Sequence, residues 1–240
     1  MARSCSIVIT ARNRAHELQR TLQSICDQAY DVPIHVVDDA SDDGTGDVLS
    51  ASDFDSRGQD VALHRVDREG GYRKNPAPAY NLAHEKASGA KVIEQSAEVV
   101  HVTDCVTPLL KNCKRGRVAL ATVFNGTVAS LERLRAAVAD GSYAKSPDLR
   151  QFYGGRQDWI RYRRVTPVDQ GFQQYCGALR PVPFFFLGAI HAKDFDAIGG
   201  YDESLAEHPD RDLAERLCAD GIEWTWCGEA IAFHVQHAKR

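Results

Sequence analysis

The sequence predicts an α/β protein built on a largely parallel sheet, and three observations carry that prediction. The N-terminal half alternates short β-branched runs with longer stretches of helical periodicity, the pattern of βαβ units. The chain has 240 residues, 43% of them apolar, which is enough to bury a core without disulfide staples. No internal repeat, low-complexity tract or linker divides it, so a single domain is expected over residues 1–240.

Strands are expected at Ser6–Thr10, Pro33–Asp38, Val61–Val66, Lys91–Gln95 and Arg117–Phe124. Between the first two, Leu18, Leu22 and Ile25 recur at helical spacing and predict a surface helix over Ala15–Asp27. A second helix is expected from about Thr45, a third over Ala79–Ala87 behind Pro76 and Pro78, and a fourth over Thr127–Ala139 stopping at Asp140-Gly141. From Ser142 to Pro183 periodicity fades, and a connection of that length is usually functional. Phe184–Ala192 then reads as a buried strand, Ile198-Gly199-Gly200 as a turn, and Asp210–Ala219 as a helix ending at Asp220-Gly221. Two strand-like segments, Ile222–Trp226 and Ala230–His234, close the chain.

Composition excludes several function classes. Lys+Arg 29 against Asp+Glu 33 gives a net charge of -4, which argues against a general binder of phosphate backbones. The seven cysteines are odd in number and contain no C-x-x-C pair, so neither a secreted disulfide framework nor a zinc ribbon is expected, and they read as reduced core thiols. The apolar run Cys5–Thr10 is short and leads directly into charge, and no transmembrane segment is expected, so the assigned compartment is cytoplasmic.

In open α/β sheets ligands lie beyond the carboxyl ends of the strands. Those ends read Thr10-Ala11-Arg12-Asn13, Asp38-Asp39-Ala40-Ser41-Asp42-Asp43-Gly44-Thr45 and Gln95-Ser96-Ala97-Glu98. None carries G-x-G-x-x-G or G-x-x-x-x-G-K-[ST], which argues against a dinucleotide dehydrogenase and a P-loop enzyme. The remaining reading is a nucleotide held by carboxylates and a metal. Taken alone, Asp38 to Gly44 is equally an acidic turn that caps the following helix.

Ser6 to Arg14 followed by Val36 to Thr45 resembles the opening of family 2 glycosyltransferases with the GT-A fold. The likeness continues through Asn75-Pro76-Ala77-Pro78-Ala79-Tyr80-Asn81-Leu82-Ala83, Gly199-Gly200-Tyr201-Asp202-Glu203 and Asp210-Arg211-Asp212-Leu213 with Arg216. It implies a GT-A domain, a Rossmann-like, mixed and mostly parallel sheet flanked by helices. Residues 1–125 would form the nucleotide-sugar half and 126–240 the acceptor half.

By that resemblance Thr10 and Asp39 hold the nucleoside, with Asp38 and Arg12 nearby and the Asp39 carboxylate accepting from a base imide N–H. The family's Asp-x-Asp motif is replaced by Gln95-Ser96-Ala97-Glu98. Glu98 therefore inherits the metal carboxylate for Mn²⁺ or Mg²⁺, while Gln95 and Ser96 are assigned to ribose or sugar. Without the resemblance Glu98 is a favourable residue at the start of a following helix. Phe233-His234-Val235-Gln236-His237 resembles the terminal His-x-x-His segment, which gives His237 a second metal role with His234 as substitute.

An inverting transfer needs a carboxylate to take the acceptor proton. The resemblance gives that role to Asp210, with Glu207 and Asp212 as runners-up, although a helix N-cap accounts for Asp210 equally well. Arg73 and Lys74, after Gly70-Gly71, are assigned to the diphosphate or else to a solvated loop. Arg150 to Arg164 mixes five arginines with four aromatics, and Lys111, Lys114, Arg115 and Arg117 suggest a second basic patch.

The expected function is thus transfer of a sugar, with inversion, from a nucleoside diphosphate donor, UDP first, to an acceptor hydroxyl. A glycan or lipid-linked sugar is the expected acceptor and a hydroxymethylated DNA base the less ordinary one. A catalytically weak nucleotide-sugar-binding module and a nucleotidyltransferase are the competing readings.

Overall fold

In the computed structural model the described residues are 5–28, 30–51, 59–68, 75–143, 186–205 and 208–235. The apolar runs form β1 (Cys5–Ala11), β2 (Ile34–Asp38), β3 (Val61–Arg65), β4 (Lys91–Ser96), β5 (Val99–His101), β6 (Arg117–Gly126), β7 (Leu187–His191) and β8 (Glu223–Val235). All eight join one sheet in the order β3-β2-β1-β4-β7-β6-β8-β5. β1 is parallel to β2 and to β4, and β2 to β3, so the carboxyl ends of these strands reach the same edge. β7 enters antiparallel between β4 and β6, and β6 and β8 are again parallel.

The strands read as near-continuous apolar runs because both faces of the sheet are covered. On one face Leu18, Leu22 and Ile25 of α1 (Ala15–Cys26) pack fully buried against Ile7, Ile9, Val36 and Ile93. Each such side chain removed from water contributes about 2 kcal/mol. On the other face Val8, Val37, Val92 and Ile190 meet Ala79 and Ala83 of α3 (Ala77–Lys86) and Leu213 and Leu217 of α7 (Pro209–Ala219). A smaller cluster joins Val100, Phe124 and Phe233 to Leu131 and Leu134 of α5 (Val128–Ala139). Short helices α2 (Val48–Ala51), α4 (Val106–Asn112) and α6 (Ala192–Ala197) fill the connections, α2 preceded by a 3₁₀ turn at Thr45–Asp47.

The N-terminus of α1 is completed from another loop. The backbone N–H of Asn13, Arg14 and Ala15 donate to Ser41 Oγ at 2.9 Å, Thr45 Oγ1 at 2.8 Å and Asp43 Oδ2 at 3.4 Å. Asn13 Oδ1 accepts the Asp42 N–H at 3.0 Å in return. The acidic turn after β2 therefore satisfies donors at the start of the helix after β1, which fixes two strand ends to each other.

Several boundaries differ from the sequence reading. α3 starts at Ala77, because Pro78 lies in its first turn, where no intrahelical N–H is needed. The buried strand expected over Phe184–Ala192 is limited to Leu187–His191 among the described residues, and Ala192 opens α6. The two C-terminal segments are one strand, β8, whose register against β6 shifts between Ala121 and Thr122. β5 and α4 had no clear periodicity: β5 has three residues, and Pro108 within α4 reads as a breaker. Glu98 starts no helix; it stands in the turn between β4 and β5.

Among the described cysteines Cys5, Cys26, Cys105, Cys113 and Cys227 are buried, whereas Cys218 is exposed rather than in the core. Cys176 lies outside the described residues. No helix among the described residues is long and apolar enough to cross a membrane.

Candidate active site

The parallel register brings Thr10, Asp38 and Ser96 to one sheet edge, and a cleft opens there. Its lining includes Thr10, Arg12, Arg14, Asp39, Tyr80, Ser96 and Glu98. Six of these seven come from the loops or last residues of β1, β2 and β4, and Tyr80 comes from α3.

Asp39 is buried, and its two oxygens differ. Oδ1 takes Arg68 Nε at 2.7 Å and Nη2 at 2.6 Å, while Oδ2 is buried with no hydrogen-bond partner among the described residues. Burial raises the Asp39 carboxyl above its ordinary pKa, against the opposing pull of Arg68 and Arg12. Leaving a buried acceptor unmatched is costly, so Oδ2 is an oxygen waiting for a donor. Arg12 supports the same turn from behind: its Nη1 donates to the carbonyls of Asp39 at 2.8 Å and Ala40 at 2.9 Å, holding Ala40 at φ 53.

Asp38, by contrast, is turned inward. Its Oδ1 accepts the Ser41 N–H at 2.9 Å and Oδ2 stands 3.8 Å from Arg65 Nη1, so it shapes the turn and does not line the cleft. Gln95 is also committed elsewhere, because it is buried with Nε2 donating to Val99 O at 2.6 Å and Oε1 2.8 Å from His101 Nε2. The ribose or sugar role expected of Gln95 is thereby corrected to a structural one at the β4–β5 turn. Ser96 does line the cleft.

Beneath the cleft lies a buried polar cluster. Glu94 of β4 accepts from the Tyr201 hydroxyl and sits 2.8 Å from His84 Nε2. Tyr201 stacks on Tyr80 with centroids 4.7 Å apart, and His84 stacks on Phe195 at 3.6 Å. Tyr80 reaches the cleft wall and hydrogen-bonds Thr10; burial, then the charges of Glu94 and Asp210, raise its phenol pKa.

The charge of Asp210, in the first turn of α7, is felt at Tyr80, although Asp210 is not one of the residues lining the cleft. Burial raises the Asp210 carboxyl above its ordinary range, while the backbone N–H groups of Arg211 and Asp210 and the nearby His208 pull it down. The helix N-cap is His208, so Asp210 is not the capping residue. Asp212 is paired with Arg216, which leaves it structural; Glu207 lies outside the described residues.

The Asn75–Ala83 and Gly199–Glu203 segments hold each other. Asn81 Nδ2 donates to Tyr201 O at 2.9 Å and Glu203 Oε1 at 2.8 Å, and its Oδ1 accepts the Tyr201 N–H at 2.9 Å. Asn75 Nδ2 donates to the carbonyls of Asp202 at 3.3 Å and Glu203 at 3.0 Å. Gly200 has φ 67, and a Cβ there would stand 2.8 Å from Asn81 Oδ1, so only glycine fits the docked turn.

At the position expected to hold a metal, the described residues offer a single carboxylate, which is already engaged. Ser96 replaces the first carboxylate, and Glu98 Oε1 accepts from Arg14 Nε at 2.5 Å. Among the described residues no group of three or more His, Cys, Asp or Glu gathers there or elsewhere in a metal-holding arrangement. His234 lies in β8, and His237 is outside the described residues, as are Arg73, Lys74 and Arg150 to Arg164. Of the suggested second basic patch, Arg115 pairs with Asp194 at 2.8 Å and Arg117 with Glu223 at 2.7 Å, which offsets two of its four positive charges.

Sequence reasoning missed Arg68, Arg14, Tyr80 and Glu94. Arg68 follows the end of β3, so a survey of strand ends that included the third strand finds it. Glu94 was signalled by a carboxylate directly after Val92-Ile93 within a strand. Arg14 and Tyr80 fall within the segments that carry the resemblance, but nothing local signalled their contacts, which lie 84 residues away with Glu98 and 121 residues away with Tyr201.

A family model described as glycosyl transferase family 2 matches residues 6–167. No curated protein matches the sequence. Among solved structures, TarS 1-349 of S. aureus in complex with UDP-GlcNAc aligns at TM-score 0.64 with 12% identity, covering 98% of this chain and 59% of that one. The mannosyltransferase PcManGT of Pyrobaculum calidifontis, with GDP-Man and Mn²⁺, aligns at 0.61 with 15% identity, covering 99% and 59%. GalNAc-T7 with UDP, GalNAc and Mn²⁺ aligns at 0.67 with 16% identity, covering 99% and 44%. The chain thus spans about half of the length of these structures, and the likeness is one of fold.

Proposed function

Because the chain belongs to glycosyl transferase family 2, we propose that it moves a sugar, with inversion, from a nucleoside diphosphate donor to an acceptor hydroxyl. The observation that carries the reading is the buried Oδ2 of Asp39, unpartnered among the described residues, in a cleft at the carboxyl ends of β1, β2 and β4. A carboxylate oxygen is an acceptor only, so it suits a base edge with an N–H at the pairing position. Uracil, thymine and guanine have one there; cytosine and adenine do not. UDP is the donor nucleotide of first choice, in keeping with the UDP-GlcNAc and UDP held by two of the similar structures.

Asp210 supplies the base. Its carboxylate takes the acceptor proton while the acceptor oxygen bonds to the anomeric carbon. The bond from that carbon to the phosphate oxygen breaks, and its electron pair leaves with the diphosphate. Thr10, Tyr80 and Ser96 line the donor site beside Asp39. The resemblance assigns Mn²⁺ or Mg²⁺ to Glu98 and His237, and similar structures hold Mn²⁺. Glu98 is held by Arg14, however, so no step here runs through a metal. On sequence grounds alone, Arg150 to Arg164 is assigned to the acceptor, a glycan or lipid-linked sugar.

A thermal-shift panel of UDP, GDP, TDP and CDP tests the donor assignment, since a ligand that binds only the folded state must stabilise it. UDP, TDP or GDP is expected to raise the melting temperature and CDP is not. Stabilisation by CDP alone, or by none of the four, contradicts the reading.

A further inference from the structure

We infer that Arg14, in place of a divalent cation, supplies the positive charge that faces the donor diphosphate; this rests on the donor-site reading above. Arg14 and Glu98 line the same cleft as Thr10 and Ser96, and their side chains are 20% and 13% exposed. Arg14 is anchored through two guanidinium contacts and one backbone contact. Its Nε donates to Glu98 Oε1, its Nη1 donates to Asn13 O at 2.8 Å, and its backbone N–H donates to Thr45 Oγ1 at 2.8 Å. A side chain anchored in this way is preorganised for an anionic ligand.

Charge balance favours the same assignment. Two carboxylates and one divalent cation sum to zero, and Ser96, Glu98 and Arg14 also sum to zero. The diphosphate therefore meets the same net charge with Arg14 as it would with the metal and two aspartates. A divalent cation added at Glu98 would compete with Arg14 for a single carboxylate and stand beside its positive charge. A guanidinium stays protonated and presents N–H donors in a planar fork that suits two phosphate oxygens. As the anomeric C–O bond breaks, Arg14 gives up no proton; it donates hydrogen bonds to the oxygens on which the negative charge gathers.

The test is a calorimetric titration of UDP and UMP, in EDTA and in Mn²⁺, against the wild type, Arg14→Gln, Arg14→Lys and Glu98→Gln. In EDTA the wild type is expected to bind UDP about tenfold or more tightly than UMP, the size of one charge-assisted contact. Arg14→Gln should bring UDP down to the level of UMP while leaving UMP unchanged, and Arg14→Lys should recover part of the difference. Glu98→Gln should still bind UDP in EDTA, which keeps the inference testable even where an Arg14 variant unfolds.

UDP binding that requires Mn²⁺, or a Mn²⁺ enhancement that disappears in Glu98→Gln, would overturn the inference and restore Glu98 as a metal ligand. Equal loss of UDP and UMP in Arg14→Gln would assign Arg14 to the fold. Failure of both UDP and GDP to bind the wild type, with and without Mn²⁺, would count against the donor site itself.

Discussion

Asp210 combines partial burial, a helix N-terminus and proximity to Tyr80, so its carboxyl is raised yet still supported in its ionised form. As the base it acts when deprotonated. Transfer should therefore rise with pH through a pKa above the ordinary 3.8 and level off once Asp210 is ionised. Asp210→Asn is expected to lower kcat by about a hundredfold or more, abolish that acid limb and leave nucleotide affinity unchanged. A pH–rate profile of both proteins checks it, and an unchanged kcat moves the base elsewhere. At this scale the sequence was informative where a placement is local. Thr10, Asp39 and Ser96 lie at or beside the ends of parallel strands and line the cleft, and strand ends can be read from periodicity. Gln95 and Asp38 sit just as close in sequence, but each side chain is claimed by a neighbour that only the folded register brings within reach, Val99 and His101 for one, Ser41 and Arg65 for the other.

The connections between elements show how the site is held open. The turn after β2 supplies acceptors to the start of α1, and Thr45 Oγ1 takes the Arg14 N–H. Thr45→Ala should cost about 1 kcal/mol of stability by chemical denaturation, the usual cost of losing a helix-end acceptor. Gly200→Ala should cost more, about 2 kcal/mol, because it combines a left-handed φ with a Cβ 2.8 Å from Asn81 Oδ1. Denaturant midpoints measure both, and a Gly200→Ala protein as stable as wild type would show that the docked turn is not required. Long elements with an apolar stripe, such as α1 and α5, were legible from spacing. β5, α4 and α6 have three to seven residues, too few for a period to emerge, and they are fixed by tertiary contacts.

Across the whole molecule, one sheet organises the cleft, with the parallel β3-β2-β1-β4 set presenting Thr10, Asp39 and Ser96, while α7, which carries Asp210, packs on one of its faces. The same packing makes the fold sensitive to acid. Burial lowers the pKa of His101 from 6.5 to about 4, so it stays neutral in the folded state while the unfolded chain takes up its proton. Its contribution is complete above pH 6.5 and is lost as pH falls from there toward 4. The loss amounts to about 3 kcal/mol. Denaturation across that window should show the slope, and a chain carrying His101→Gln should lack it. The α/β class and the strand ends were visible in the sequence because they follow from alternation. The antiparallel insertion of β7 was not, because no local pattern records which strand lies beside it.

Asp39 is proposed to read the base of the donor through its buried Oδ2, which has no partner among the described residues. The most direct measurement is the ratio of UDP to CDP affinity in the wild type and in Asp39→Asn, titrated under identical salt. Asparagine puts an N–H₂ donor within reach of the base, which suits the acceptor nitrogen of cytosine. The expected result is a strong preference for UDP in the wild type that falls by about tenfold or more in Asp39→Asn, with CDP binding maintained or improved. An unchanged ratio would mean that the base is recognised elsewhere and would contradict the account.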